Sequence, residues 1–221
     1  MADRDGPSER RLGMTRRTAR GWLTRHRKDP YVRKARREGF RTRASFKLAE
    51  IDRQERLVPA GGLVLDLGAA PGGWSQYVRR RMTGGGRLVA IDRLPLSPLP
   101  GVETLVADLE ETTSVTRQLE ALGLERGTAV LVLSDMAPNL TGDRVVDQAH
   151  MFALGVAALA LARIWLGPRG ALLMKFFQGP ECARMQETLE EGFARVKILK
   201  PKASRAASAE LYLLARDPRL V

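Results

Sequence analysis

Thiols and imidazoles are scarce in this chain. One cysteine, Cys182, and two histidines, His26 and His150, among 221 residues allow no internal disulfide and are too few for a structural zinc site. No metal is expected. Long apolar runs are also missing: the longest uncharged one, residues 151–162, falls short of the roughly 20 residues a bilayer-spanning helix needs. No apolar segment with a small-residue cleavage site marks the N-terminus, so the expected compartment is the cytoplasm, with no membrane partner. Aromatic residues amount to only 5%. The remainder, 44% hydrophobic and 28% charged, is ordinary globular composition, enough for one domain over residues 29–221.

The charge is unevenly placed. Lys and Arg number 37 against 25 Asp and Glu, and residues 1–56 hold 18 of the former and 8 of the latter, so almost all of the positive excess lies in the first quarter. Residues 1–28 read as a basic, flexible tail. Past Asp29 the pattern changes, because Tyr31, Phe40 and Phe46 interleave with Arg33, Lys34, Arg36, Arg37, Arg41 and Arg43. A guanidinium forks onto phosphate and an aromatic face stacks on a base. Residues 29–56 therefore read as a helical, nucleic-acid-facing segment, with Arg33, Lys34, Arg41 and Arg43 as RNA contacts.

From Gly61 onward, short apolar runs alternate with helix-length stretches, the pattern of a mostly parallel sheet with crossover helices on both faces. The predicted strands cover 63–67, 87–91, 103–106, 129–134, 171–177, 194–199 and 210–215. The predicted helices cover 72–82, 112–122, 145–166 and 180–191, the third apolar enough to be buried around most of its circumference. No helix fits between the last two strands, where residues 200–209 form a basic loop containing Pro201. Those two strands are expected to be antiparallel.

The chemistry starts at the first strand's end, where Asp66-Leu67-Gly68-Ala69-Ala70-Pro71-Gly72-Gly73-Trp74 makes a glycine-rich turn into a helix. Such a turn lets a ligand approach the backbone. Asp92 closes the next strand, 24 residues past Gly68, where a carboxylate can accept from two ribose hydroxyls. Asp108 follows the third strand, in reach of an adenine amino group. A dinucleotide and S-adenosylmethionine both fit this pocket. Two further residues weigh on the choice: Asp135 ends the fourth strand, and Lys175 stands inside the fifth among Leu172, Leu173, Met174, Phe176 and Phe177. A lysine there is costly to bury unless paired. Lys47 and Glu210 lie in segments able to close over the same sheet edge.

Five segments in order carry a resemblance: Arg41-x-Arg43-Ala-x-Phe-Lys47-Leu48; Asp66 through Tyr77; Ser134-Asp-Met-Ala-Pro-Asn139; Lys175-x-Phe-Gln-Gly179; and Lys200-Pro-x-x-Ser-Arg205 with Glu210. Together the chain resembles the FtsJ/RlmE family of ribosomal RNA 2′-O-ribose methyltransferases. The resemblance implies a Rossmann-like class I methyltransferase fold with seven strands, the last antiparallel. It implies S-adenosyl-L-methionine as cofactor, bordered by Gly68, Gly72, Trp74, Asp92, Asp108, Leu109 and Asp135. It also implies a catalytic set of Lys47, Asp135, Lys175 and Glu210, a uridine of large-subunit ribosomal RNA as target, the large ribosomal subunit as partner, and a monomer. The chain departs from the family pattern at Ala209, where a basic residue often precedes the glutamate, and in the Pro180-Glu-Cys stretch.

The reaction would be an in-line displacement, a ribose 2′-hydroxyl attacking a sulfonium methyl group, with Lys175 as candidate base. A free lysine titrates near 10.4, so basicity at neutral pH asks for about 3 units, or about 4 kcal/mol, of preference for the neutral amine. Burial and Lys47 favour that direction and Asp135 and Glu210 oppose it, which leaves base and electrostatic orienter both open. Competing readings are a transfer-RNA or messenger-cap ribose methyltransferase, an NAD-dependent oxidoreductase and a non-enzymatic RNA-binding assembly factor.

Overall fold

The computed structural model describes residues 29–204 and 208–219. The expected tail over 1–28 and Arg205 of the last basic motif lie outside them. The first described elements are α1 (Pro30–Arg37) and α2 (Ala44–Glu55), followed by β1 (Gly62–Leu67), α3 (Gly73–Arg81), β2 (Gly86–Asp92) and β3 (Glu103–Val106). After these come α4 (Thr112–Ala121), β4 (Ala129–Ser134), α5 (Arg144–Trp165), β5 (Leu166–Phe177), α6 (Pro180–Gly192), β6 (Phe193–Leu199) and β7 (Glu210–Pro218).

The strands form one sheet in the order β3-β2-β1-β4-β5-β7-β6. Pairings from β3 across to β5 are parallel, and β7 runs antiparallel to both β5 and β6. The absence of a crossover helix before β7 forces that reversal, since a parallel return would need a connection of a dozen residues or more. Strand alternation then sorts side chains onto two faces. Leu65, Val89, Val132, Leu172 and Leu213 meet α4, α5 and α6 on one face, whereas Val64, Leu88, Leu131, Leu173 and Leu214 meet α2 and α3 on the other. The expected layering, a sheet covered on both sides, is the one observed.

Two local expectations change. Strand β5 begins at Leu166 directly after α5, five residues earlier than its apolar run suggests, because Leu166 already pairs with Ala129. Helix α5 is not buried around most of its circumference: Val145 and Val156 are 79% and 45% exposed. Its buried stripe, Met151, Ala158, Leu161, Ala162 and Trp165, faces the sheet, while His150, Ala153 and Leu154 wall a cavity. Among the described residues it is one helix long and apolar enough to cross a membrane by length and composition, but here it packs as a core helix.

Candidate active site

Same-face alternation assembles the charged groups. Lys175 lies two residues past Leu173 in β5, and Glu210 and Tyr212 lie in β7 on the face of Leu214. In the antiparallel register Lys175 stands opposite Tyr212, with Phe177 opposite Glu210. This is the face covered by α2, which carries Lys47. Asp135 follows the end of β4, next to β5 in the sheet.

The result is two ion pairs joined by a phenol. Lys47 Nζ lies 2.6 Å from Glu210 Oε1, with each side chain only 13% exposed. Lys175 Nζ donates to Asp135 Oδ1 at 3.0 Å and to the Asp135 backbone carbonyl. The Tyr212 hydroxyl lies 3.2 Å from Glu210 Oε1 and 3.4 Å from Asp135 Oδ1, so its one proton is shared between the carboxylates of the two pairs. Ser204 Oγ donates to Glu210 Oε1 at 2.8 Å. Burial alone would raise the Glu210 pKa, but Lys47, the Ser204 hydroxyl and Lys175 together hold it below the usual carboxylate range. The Tyr212 phenol is pushed well up, first by burial and then by the flanking Asp135 and Glu210 carboxylates. Buried ion pairs are weak devices for stability, because desolvation offsets most of the attraction. A cluster of two cations and two anions, all partly buried, is better explained by chemistry performed there.

Beside the cluster, a cavity of about 700 Å³ opens where the strand order reverses between β1 and β4. It is lined by Gly68 and Ala70 after β1, Asp92 at the end of β2 and Leu94 beyond it, Asp108 and Leu109 after β3, and Asp135 through Asn139 after β4. The Asp92 carboxylate, 8% exposed, accepts from Ala70 N at 2.9 Å and Leu94 N at 2.8 Å, one bond on each oxygen. Each oxygen keeps a second lone pair for a ligand hydroxyl. Asp108, also on the cavity wall, accepts through Oδ1 from Glu110 N at 3.0 Å. The Asp147 carboxylate holds the β4–α5 loop, accepting from Thr141 N and Oγ1 at 2.7 and 2.9 Å.

A smaller cavity of about 120 Å³ shares Gly68, Ala70 and Asp135 with the first and is walled by Thr42, Gly73 and Trp74. Two buried atoms on its wall, Thr42 Oγ1 and Asp66 Oδ1, have no hydrogen-bond partner among the described residues. Burial raises the Asp66 pKa to about 7 despite the Ser75 hydroxyl donated to it. Among the described residues no cluster of His, Cys, Asp or Glu could hold a metal ion.

Known proteins identify the family. Residues 40–218 match the family model described as FtsJ-like methyltransferase. The chain belongs to the FtsJ-like methyltransferase family. It is 46% identical over 202 residues to "Ribosomal RNA large subunit methyltransferase E" of Azoarcus sp. (strain BH72), an alignment covering 91% of this chain and 98% of that one. Identity to the protein of the same name from Dechloromonas aromatica (strain RCB) is 43%, covering 92% and 98%. A crystal structure described as a ribosomal RNA methyltransferase from Plasmodium falciparum superposes with a TM-score of 0.72 at 22% identity, over 81% of this chain and 98% of that one. The fold is therefore the Rossmann-like methyltransferase fold.

Within this FtsJ-like methyltransferase, Gly68, Asp92, Asp108, Leu109 and Asp135 line the larger cavity, and Trp74 borders only the smaller one. Gly72 lines neither. A Cβ on Gly72 (φ +100°) would sit 2.8 Å from the Arg41 guanidinium, and one on Gly73 would sit 2.1 Å from Thr42 Oγ1. The space beside Gly72 is therefore taken by Arg41, whereas that beside Gly73 is taken by Thr42, which with Gly73 walls the smaller cavity. Gly68 (φ +71°) does face the cavity, where a Cβ would meet Met136 at 2.5 Å.

The basic segment also needs correction. Arg33 and Lys34 are exposed on α1, as a phosphate contact requires. Arg41 and Arg43, expected to face RNA, spend their donors on the protein: Arg41 on the carbonyls of Pro71, Ser97 and Pro98, and Arg43 on Asp29 and the Ala203 carbonyl. The interleaved aromatics pack together and do not present free faces, with Phe46 5.8 Å from Tyr31 and 5.5 Å from Phe40 between ring centroids. Tyr212 escaped the sequence reading because an aromatic in a strand looks like core. Its one sequence signal is position, two residues past Glu210 in a strand and therefore on the same face.

Proposed function

We propose that this methyltransferase moves the methyl group of S-adenosyl-L-methionine to the 2′-hydroxyl of a uridine in large-subunit ribosomal RNA, within the assembled subunit in the cytoplasm. The observation that carries the reading is the convergence of Lys47, Asp135, Lys175 and Glu210, through Tyr212, at the edge of the cavity. The named relatives support the substrate class. The cavity fits the cofactor: its volume is that of a ligand site, Asp92 keeps lone pairs for ribose hydroxyls, Asp108 suits an amino group, and the orphaned Asp66 and Thr42 oxygens provide for a polar tail. When bound there, the cofactor supplies an electrophilic methyl group on a sulfonium.

The chain's own residues then position and deprotonate the alcohol. A neutral hydroxyl is a poor nucleophile, so its proton must be taken as the new bond forms. Lys175 is the base. Its two contacts to Asp135, one to the carboxylate and one to the backbone carbonyl, hold Nζ in one place, and to accept the hydroxyl proton the ammonium first gives one up to solvent. Asp135 aligns Lys175, while Lys47, held by Glu210, donates to the ribose and stabilises negative charge developing on its oxygen. Exposed Arg33 and Lys34 hold phosphates. Placement of the reacting oxygen supplies much of the rate, as effective molarity.

The test offers labelled S-adenosyl-L-methionine to unmodified large subunits, naked ribosomal RNA and transfer RNA, and maps the product. The expected result is one 2′-O-methylated uridine, made best on large subunits. Preferential methylation of transfer RNA would overturn the substrate assignment.

A further inference from the structure

We infer that Arg41 is a positioning residue that shapes the cofactor cavity from outside, by tying the RNA-facing segment to two of the loops that line it. The inference rests on the cavity being the S-adenosyl-L-methionine site. The Arg41 guanidinium donates to Pro71 O at 3.0 Å in the glycine-rich turn, and to Ser97 O at 2.8 Å and Pro98 O at 2.7 Å in the segment after Asp92 and Leu94. These loops leave β1 and β2 and carry Ala70 and Asp92, which are themselves joined by the Ala70 N to Asp92 bond of 2.9 Å.

The clasp is built from both sides. Arg41 N donates to Gln76 Oε1 at 2.9 Å, and Gln76 Nε2 donates back to Gly39 O at 2.7 Å, so α3 fixes the backbone from which the arginine reaches. Gly72 leaves the space the guanidinium fills, since any Cβ there would sit 2.8 Å from it. A planar fork with five donors can satisfy three carbonyls on two loops, and a lysine ammonium on a flexible stem cannot reproduce that geometry. Carbonyls carry no net charge, so the arginine's charge is retained close to the surface while its hydrogen bonds are all directed inward. A residue that contacts RNA through phosphates would do the opposite.

The consequence is a coupling between the two substrates. RNA that braces the α1–α2 segment also braces the cofactor loops, and by linkage the cofactor favours RNA binding by the same factor.

The experiment measures S-adenosyl-L-methionine affinity by calorimetry, steady-state kcat and KM on large subunits, and the salt dependence of RNA binding, for wild type, Arg41→Ala, Arg41→Lys and Gln76→Ala. Arg41→Ala is expected to weaken cofactor binding about 10-fold and raise its KM equally, with kcat at saturation within about 2-fold and the RNA salt slope unchanged. Arg41→Lys should fail to rescue, and Gln76→Ala should show a smaller loss of the same kind. Thermal melting of each variant reports whether the fold is kept, and Gln76→Ala, which leaves the guanidinium in place, carries the test should Arg41→Ala not fold. Unchanged cofactor affinity with an RNA salt slope reduced by about one phosphate contact would overturn the inference and make Arg41 an RNA contact. Equal losses in kcat and affinity, or full rescue by lysine, would also overturn it. Wild type without measurable cofactor affinity would instead reject the proposed function beneath it.

Discussion

The two halves of the sheet's active edge solve different problems. On the β1–β2–β3 side, recognition is left to loops: backbone N–H groups hold Asp92 from Ala70 and Leu94, and an open cavity of about 700 Å³ remains. On the β5–β7 side, Lys175 and Glu210 stand on strands, each already paired, with Lys175 and Tyr212 opposite one another in register. Under the proposed function the first half binds the cofactor, and the second presents groups that are already paired with one another, which suits groups that must meet a reacting oxygen in one geometry.

If that division is correct, substitutions should separate cleanly into losses of turnover and losses of cofactor affinity. The largest effect is expected for Lys175→Ala, which should lower kcat by about 10²- to 10⁴-fold, the range for a lost general base, with calorimetric cofactor affinity unchanged. Asp92→Ala should do the reverse, weakening cofactor binding about 10- to 100-fold through loss of charged hydrogen bonds while single-turnover rates at saturation stay near wild type. Tyr212→Phe removes the proton shared between the two carboxylates. It should reduce kcat about 5- to 20-fold and alter the pH profile of kcat, leaving KM for the cofactor in place; a change in KM alone would move Tyr212 to the binding half.

A further effect, on stability and not on turnover, concerns Asp66, whose carboxyl is pushed up to about 7 by burial. An acid with a raised folded pKa holds its proton in the native state between its unfolded value near 4 and its folded value. Its contribution is therefore present at low pH and lost as pH rises from about 4 to 7, at most about 1.4 kcal/mol per pH unit. Asp66→Asn should flatten the melting temperature over that window relative to wild type. An unchanged slope would mean that Asp66 ionises normally.

The sequence was most informative where a residue conflicts with its surroundings. Lys175 in an apolar strand is costly to bury unless paired, which points to Asp135 as the partner it has, and Asp92 and Asp135 fall at strand ends, where parallel sheets bind ligands. The alternation of runs also sufficed for the sheet and for the reversal of β7. Less legible were residues whose role depends on where a long side chain ends. Arg41 and Arg43 sit in a basic segment and look like phosphate ligands, yet only the fold shows their donors meeting Pro71, Ser97, Pro98, Asp29 and Ala203. Gly72 and Gly73 look like ligand-approach glycines because the neighbour that needs their space, the segment at Arg41 and Thr42, is remote in sequence. Apolar composition overstated the burial of α5 for a related reason: only one stripe of that helix faces the sheet, while His150, Ala153 and Leu154 wall the cavity and Val145 and Val156 are exposed.

The central claim is that these side chains act on a ribose oxygen. Its most direct measurement is alkaline hydrolysis of large-subunit RNA labelled by wild type and by Lys175→Ala from methyl-labelled cofactor. Methylation removes the 2′-hydroxyl that would attack the adjacent 3′-phosphodiester in alkali, so the account predicts wild-type label in a single alkali-resistant dinucleotide containing uridine, and almost none with Lys175→Ala. Label recovered on a free base or in alkali-labile mononucleotides, or equal labelling by the lysine variant, would contradict it.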